Sequence, residues 1–355
     1  MVSPRLIVDT GVLRNNIEIM QEAANTAGVA LRPHIKAHKN AEIMRFQLIA
    51  GASGITVSKL GEAEVMAEAG ATDIFIAYQL IGEDKYCRLA KLRQSARIAV
   101  AVDNTEHCRA LDAATPHDKP LDVLIEVDSG LSRCGVLPQD VLGLAREILT
   151  LSKLSFRGIF THAGHVYGVS AQDVARIGTE EALLMVACAD QLRSQGIAVD
   201  VVSTGSTPTA LHNLKVNGIT EIRPGNYVFN DAIQVGLGVV DESRCALFVE
   251  ATVISAPSAT RVVIDAGSKV FGLDKGAHGM SVVTGFGRVL GWPELIIERL
   301  SEEHGIITYT GHGPTLGQKL TIIPNHACVA VNLADRIVSI PGEVSWAISA
   351  RGRVD

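Results

Sequence analysis

No stretch of this 355-residue chain strings together the roughly 20 apolar residues that a membrane-spanning helix requires, so no membrane is expected as a partner. The N-terminus, MVSPRLIVDTGVLRNN, lacks a basic stretch followed by an apolar core; it does not read as a secretory signal, and a cytoplasmic protein is expected. Basic residues never gather into a run and the formal net charge is −6, the opposite of what binding a phosphate backbone demands; no nucleic acid is expected. Among the six cysteines there is no CxxC pair, which excludes a zinc ribbon or a disulfide scaffold and leaves a small buried apolar residue as the default for each. Solenoid-period repeats and low-complexity tracts are missing as well. What is present is 47% hydrophobic against 20% charged residues, too apolar a mixture for disorder, in a length that suits one large domain and a smaller one.

From residue 10 to about residue 235, short β-rich runs alternate with helical patterns. The expected strands are Leu31–Lys36, Ile55–Ser58, Asp73–Tyr78, Arg97–Asp103, Asp122–Asp128, Phe156–His162, Asp200–Thr204 and Glu221–Tyr227. Runs such as IFIAY and VLIEV are nearly continuous apolar strands, as expected when helices cover both faces of a sheet. Between them, segments such as Leu60–Ala69 and Thr179–Gln195 carry apolar residues at helical spacing. This alternation predicts a (β/α)8 barrel over residues 10–240. An open doubly wound sheet is the alternative, but its Gly-rich fingerprint at the first helix is absent. After Val240 the texture changes to strands joined by Gly, Pro and Asp turns, including KLTIIPNHACVAVNL, so residues 241–355 are expected to form an all-β domain. No Ser/Pro linker separates the two, which implies a close interface.

A β/α barrel places its active site at the C-terminal ends of its strands. The first expected strand ends in RPHIKAHK, where Lys36 lies between His34 and His38. Burial and neighbouring cations lower a lysine's pKa, and a neutral amine can form a Schiff base; a salt-bridged loop lysine is the plain alternative. The run STGST at the seventh strand and the turn RPGN at the eighth offer backbone N–H groups and hydroxyls to an anion, at the place where barrels bind phosphate. A lysine across the mouth from a phosphate site suggests pyridoxal phosphate. In the second domain, His326-Ala327-Cys328 would put imidazole and thiolate on one face of a strand, able to grip one metal ion, zinc rather than magnesium. Two protein ligands would leave coordination positions open for water or substrate.

Taken together and in order, RPHIKAHK, KLGEAEVMAEAG, EVDSGLSRCGV, THAGHVYG, STGSTPT, EIRPGNYVFND, SEEHG and PNHACVAVNL resemble the D-serine dehydratase and D-threonine aldolase family. These are fold-type III pyridoxal phosphate enzymes related to bacterial alanine racemase. The resemblance implies a (β/α)8 barrel with an all-β C-terminal domain that also takes in residues 1–9, through the strand Arg5–Asp9. It implies that Lys36 is the Schiff-base residue, that Gly205, Ser206, Thr207, Gly225 and Asn226 contact the phosphate, and that Arg223 faces the pyridine nitrogen. His165 and Tyr167 fall in a motif lining the cofactor, and His326 and Cys328 match a zinc-binding pair, with manganese or magnesium as other candidates. Family members are head-to-tail homodimers with the active site at the interface, so His326 and Cys328 could serve the partner's Lys36.

The implied activity is a metal-assisted lyase reaction on a D-3-hydroxy amino acid. In the better-known D-threonine aldolases an aspartate stands two residues after the histidine. Cys328 at that position favours the D-serine dehydratase type, which yields pyruvate and ammonia. Retro-aldol cleavage to glycine and an aldehyde is the alternative, and bulkier β-hydroxy acids such as 3-hydroxyaspartate stay in play as substrates. A racemase needs a second acid/base, commonly a tyrosine, and Tyr309 is the sole tyrosine of the expected β domain. Small cofactor-carrying proteins of this fold type lack a β domain. Five further residues stay open between two roles each. Asp128 and Arg133 could orient the cofactor or form a structural ion pair; His34 and His38 could flank Lys36 functionally or simply pack; His304 could support the metal or sit on an exposed loop.

Overall fold

The computed structural model of the chain describes residues 2–276 and 281–355. After a first strand, β1 (Arg5–Asp9), come β2 (Ala30–Leu31), β3 (Ile55–Val57), β4 (Asp73–Gln79), β5 (Arg97–Val102), β6 (Leu121–Glu126), β7 (Leu154–Phe160), β8 (Val201–Thr204) and β9 (Glu221–Ile222). Strands β2 to β9 form an eight-stranded sheet in the order β2-β9-β8-β7-β6-β5-β4-β3, with parallel neighbours throughout. Its two edges meet just past the end of β2, where Thr56 N–H donates to the Pro33 carbonyl at 2.9 Å and His34 forms a parallel bridge to Thr56. The strands are short, apolar and buried on both faces, because helices cover the outside while Phe75, Ala101, Leu124 and Phe160 fill the inside. There the Phe75 and Phe160 rings meet edge to face at 4.9 Å.

Two strand expectations are corrected. Of the run Leu31–Lys36 only Leu31 is strand, as the end of β2; Pro33 has no N–H for a ladder, and a 3-10 turn follows at Ile35–Ala37. Likewise Glu221–Tyr227 is strand only to Ile222, stops at Pro224 and turns into a 3-10 segment, Asn226–Val228. No long helix follows β9. The helix Thr10–Ala27, capped by the Asp9 carboxylate and ended by left-handed Gly28, precedes β2 and packs on that side instead.

The second sheet has nine strands: β1 together with β10 (Leu247–Ser258), β11 (Arg261–Ile264), β12 (Arg288–Val289), β13 (Ile296–Leu300), β14 (Gly305–Thr308), β15 (Lys319–Ile323), β16 (Arg336–Ile340) and β17 (Val344–Ala347). Strand β1 lies between β10, antiparallel, and β16, parallel. This second domain is not purely β. Helices Ser268–Phe271 and Ala327–Leu333 sit against one another, and the second occupies part of the run expected as strand, which ends at Ile323 before Pro324. One apolar cluster continues from the parallel domain into this sheet, through residues such as Val8, Leu247 and Ile337, so the two parts share a core. No described helix is long and apolar enough to cross a membrane.

Candidate active site

At the C-terminal end of the parallel sheet a cavity of about 520 Å³ opens, and its lining joins residues from nearly the whole chain. Lys36 reaches it from the 3-10 turn after β2, a turn capped by His34, whose Nδ1 accepts the Lys36 N–H at 3.4 Å. Burial lowers the Lys36 amine below its ordinary pKa, and the Arg133 and Arg223 cations push the same way against Cys328 and Glu62. Among the described residues no ion pair joins Lys36. Lys39, three positions on and more deeply buried, is paired with Glu62 at 3.2 Å. His34 lines the cavity too and is held well below its usual pKa by burial, then by Lys36 and Arg223. His38 does not line it. Its ring is packed inside, bonded to Gln47 and accepting the Asn40 N–H, and burial lowers it to about 4.

Arg223 closes the floor of the cavity. Its guanidinium stands 5.1 Å from the Phe160 ring centroid and 5.9 Å from that of Phe75, and it donates to Ser203 Oγ and the Thr161 carbonyl. Ser203 in turn donates to Glu221, which pairs with Arg32 at 2.7 Å. The guanidinium is thus fixed in place from below.

Beside it, the segments 203–207 and 223–226 form the rim expected to take an anion. Gly205 and Ser206 line the cavity, but their amides are already used: Gly205 N–H donates to the buried Glu181 carboxylate and Ser206 N–H to Thr209 Oγ1. What the rim leaves unpartnered is Thr204 Oγ1, Thr207 Oγ1 and Asn226 Oδ1, all buried; of these three residues, Thr207 and Asn226 line the cavity. The backbone N–H groups of Thr207, Gly225 and Asn226 also have no protein acceptor among the described residues. Gly225 is needed for close approach, since a Cβ there would come within 2.7 Å of the His34 carbonyl. An unpartnered hydroxyl and free amides around a pocket are what a phosphate group satisfies, so these residues fit the phosphate of pyridoxal phosphate.

Tyr167 lines the cavity near Ser206 and Gln234, and burial raises its pKa. His165 is corrected: it does not line the cavity, but lies over Gly130, where a Cβ would touch its ring at 3.2 Å. The segment Gly164–Gly168 is a 3-10 turn, and residues two apart on such a turn face different ways. His162 of the same motif lines the cavity instead.

His326 and Cys328 line this same cavity within one chain. The pair is therefore not lent to a partner's Lys36; the Cys328 sulfur is close enough to act electrostatically on Lys36 of its own chain. Nor do the two sit on a strand. His326 is the extended N-cap of the helix Ala327–Leu333 and Cys328 lies in its first turn, with both side chains lining the cavity. His326 Nδ1 is 2.6 Å from Asp274 Oδ2. Burial alone would depress the imidazole, but Cys328, Asp274 and Asp231 together hold it up to about 11. A sulfur and a ring nitrogen lining one cavity, with the other ring nitrogen held by a carboxylate, form a donor set that suits a divalent cation.

On the opposite wall Gln79 Nε2 donates to Glu126 at 2.6 Å, and Arg133 lies 3.8 Å from the same carboxylate. Asp128 is not Arg133's partner; its side chain accepts from the Gly130 and Ser132 amides and holds a turn. His304 is on an exposed turn of the second domain. The sequence reading missed Gln79, Glu126, Asp231 and Asp274 as site residues. Glu126 and Asp231 lie inside two of the motifs quoted, whereas Asp274 carries no local signal.

A parallel α/β domain with a buried lysine at its strand ends, closed by a second sheet that takes back the first strand, defines a protein of the alanine racemase type. The alanine racemase N-terminal domain model matches residues 8–232 and the putative serine dehydratase domain model residues 246–340, and the chain belongs to this family of enzymes. It is 34% identical to a D-threonine aldolase of Arthrobacter sp., over 99% of this chain and 93% of that one. To the D-threo-3-hydroxyaspartate dehydratase of Delftia sp. (strain HT23) it is 33% identical, and to the D-serine dehydratase of Dictyostelium discoideum 32%, each over 92% of this chain and 90% of the relative. Among solved structures, the D-threonine aldolase from Filomicrobium marinum superposes with a TM-score of 0.91 at 30% identity, covering 100% of this chain and 96% of that one. A cysteine-to-alanine variant of D-threo-3-hydroxyaspartate dehydratase in the metal-free form gives 0.90 at 31%, covering 98% and 97%.

Proposed function

We propose that this chain is a pyridoxal phosphate-dependent, metal-assisted lyase of D-3-hydroxy amino acids, of the D-serine dehydratase type. The observation that carries the reading is the meeting, in one cavity of one chain, of a half-buried lysine without a counter-ion among the described residues and a histidine–cysteine pair. Thr207, Gly225 and Asn226 would hold the phosphate, Lys36 would anchor the cofactor, and Arg223 would face its ring from a fixed position. Pyridoxal phosphate, when bound, supplies an electron sink for the substrate's α-carbon. His326 and Cys328 would hold the metal, which supplies Lewis-acid assistance at the β-hydroxyl.

The chain's own residues do the rest. With its pKa lowered by burial, Lys36 gives up its proton at Nζ more readily than an exposed lysine does, as a part in removing the α-proton requires. His34 stays neutral beside it and keeps a further cation out of the cavity. Asp274 holds the His326 ring by Nδ1, leaving Nε2 as the ligand atom. The cysteine in place of a carboxylate favours loss of the β-hydroxyl over cleavage of the Cα–Cβ bond. Retro-aldol cleavage is the second reading, favoured by the 34% identity to a D-threonine aldolase. A homodimer with the site near its interface is part of the proposal.

Product analysis on D-serine, D-threonine and D-threo-3-hydroxyaspartate tests it. Keto acid and ammonia support the dehydratase reading. Glycine with an aldehyde overturns it in favour of the aldolase, and the L-enantiomer overturns both in favour of a racemase.

A further inference from the structure

Between the anion rim and the histidine–cysteine pair stands one buried carboxylate to which neither the sequence nor the proposed chemistry gives a part. Asp231 is 1% exposed and lines the cavity. Its Oδ2 accepts two hydrogen bonds, from Asn226 Nδ2 at 2.6 Å and from the Ala327 N–H at 2.9 Å. The first donor belongs to the rim; the second is the backbone amide between His326 and Cys328. Oδ1 accepts the Gln234 N–H at 3.0 Å, which fixes the carboxylate plane. Backbone bonds tie the same two segments together: Ala232 N–H to the Pro324 carbonyl at 3.1 Å, and Ile233 N–H to that of Asn325 at 3.2 Å. A single oxygen atom thus sets the position of both segments. Moving Asn226 without moving the 326–328 turn would break a buried hydrogen bond, a loss that water cannot make good there.

We propose that Asp231 is a positioning residue that couples the two sites, so that a phosphate monoester at Thr207, Gly225 and Asn226 tightens divalent-cation binding at His326 and Cys328, and the reverse. The proposal rests on the reading of the two sites given above. Coupling of this kind is reciprocal, and carried by one two-ended contact it has a size that can be measured.

The test is the zinc dissociation constant of the full-length chain, obtained by chelator competition with and without saturating pyridoxal phosphate. In the wild type the cofactor should tighten zinc at least about fivefold, the lower end of ordinary coupling between sites. Asp231→Asn should bind zinc more weakly in both conditions and bring the ratio to about one. Asn226→Ala removes the other end of the contact without touching the 326–328 turn. Because Asn226 also belongs to the phosphate rim, this variant is read at a cofactor concentration shown by absorbance to saturate it; the ratio should then again fall to about one, and it carries the test alone if Asp231→Asn does not fold. Asp274→Asn is the contrast: weaker zinc throughout, ratio kept. A carboxylate that merely stabilised the fold would weaken both constants and preserve the ratio. A wild-type ratio of one, or a ratio kept in both coupling variants, overturns the inference while the assignment of the pair as metal ligands stands. A wild type that binds no zinc in either condition overturns that assignment, and the inference with it.

Discussion

The two ends of the parallel sheet carry the same kinds of residue and use them in opposite ways. At the N-terminal end, Arg32 reaches Asp73 at 2.6 Å and Glu221 at 2.7 Å, Arg97 reaches Asp122 at 2.8 Å, and Arg157 reaches Asp200 at 3.1 Å; the space they surround is about 130 Å³. At the C-terminal end, the cavity is about 520 Å³, and among the described residues no ion pair joins Lys36 while Thr207 and Asn226 keep buried oxygens without partners. Paired charge at one end offsets its own burial. Unpaired polar groups at the other cost stability and are what a ligand would satisfy. Lys39 and Lys36 repeat the contrast three residues apart on one loop: the paired amine holds the loop, and the unpaired one is free for chemistry.

The sharpest way to break this division is to remove one cation from each end. Lys36→Ala should lower kcat/KM by about 10²- to 10⁴-fold, the usual worth of a positioned proton-transfer group, with the fold intact by circular dichroism and thermal midpoint. Arg32→Ala should do the reverse. It leaves Glu221 and Asp73 without their cation and should cost about 3–5 kcal/mol in urea unfolding, while kcat of the folded fraction changes only a fewfold. A loss of activity in Arg32→Ala as large as that in Lys36→Ala would mean that the two ends are not separable.

A smaller effect is expected where a partner acts through another residue. Asp274→Asn keeps the shape of the contact to His326 Nδ1 but weakens its hold on the ring. Zinc affinity should fall by about 10- to 100-fold in chelator competition, and activity should recover with excess zinc. Failure of zinc to restore it would show that Asp274 does more than orient the ring.

How much of this was legible in the sequence follows from how far apart the determinants lie. The parallel strands could be read because runs such as Ile74–Ile76 are buried on both faces and bear that requirement in their composition. The turn at Lys36 could not, since apolar periodicity does not register the N–H that Pro33 lacks. The helix Ala327–Leu333 was read as strand because its valines alternate as a strand's would; its first turn is set by Asp231, 96 residues away in sequence, which accepts the Ala327 N–H. Residues with chemistry in their own side chains, such as Lys36, Arg223, His326 and Cys328, stood out in short motifs. Asp274 meets His326 from a sequence distance of 52, and Glu181 takes the Gly205 amide from 24 away, so no local spacing could show that one rim amide was already spent.

The smallest expected effect gives the finest reading of the contrast between the two lysines. Burial lowers the Lys36 amine in the folded chain, whereas in the unfolded chain it titrates near the ordinary value of 10.5. Between those two pKa values the unfolded state binds one proton more than the folded state, so this residue makes stability rise with pH across that window. Below the window the folded protein bears the full cost of a buried ammonium; above the ordinary value the cost is gone. Lys36→Met, nearly isosteric and neutral, should therefore stabilise the cofactor-free protein at pH 7. The gain should shrink as the pH climbs toward 10.5, read as the difference in urea midpoint between variant and wild type. Lys39→Met should show the opposite sign at pH 7, because it leaves the buried Glu62 without its cation. If both substitutions destabilised equally at every pH, Lys36 would be a structural cation like its neighbour, and the cavity would have lost the group that sets it apart from the other end of the sheet.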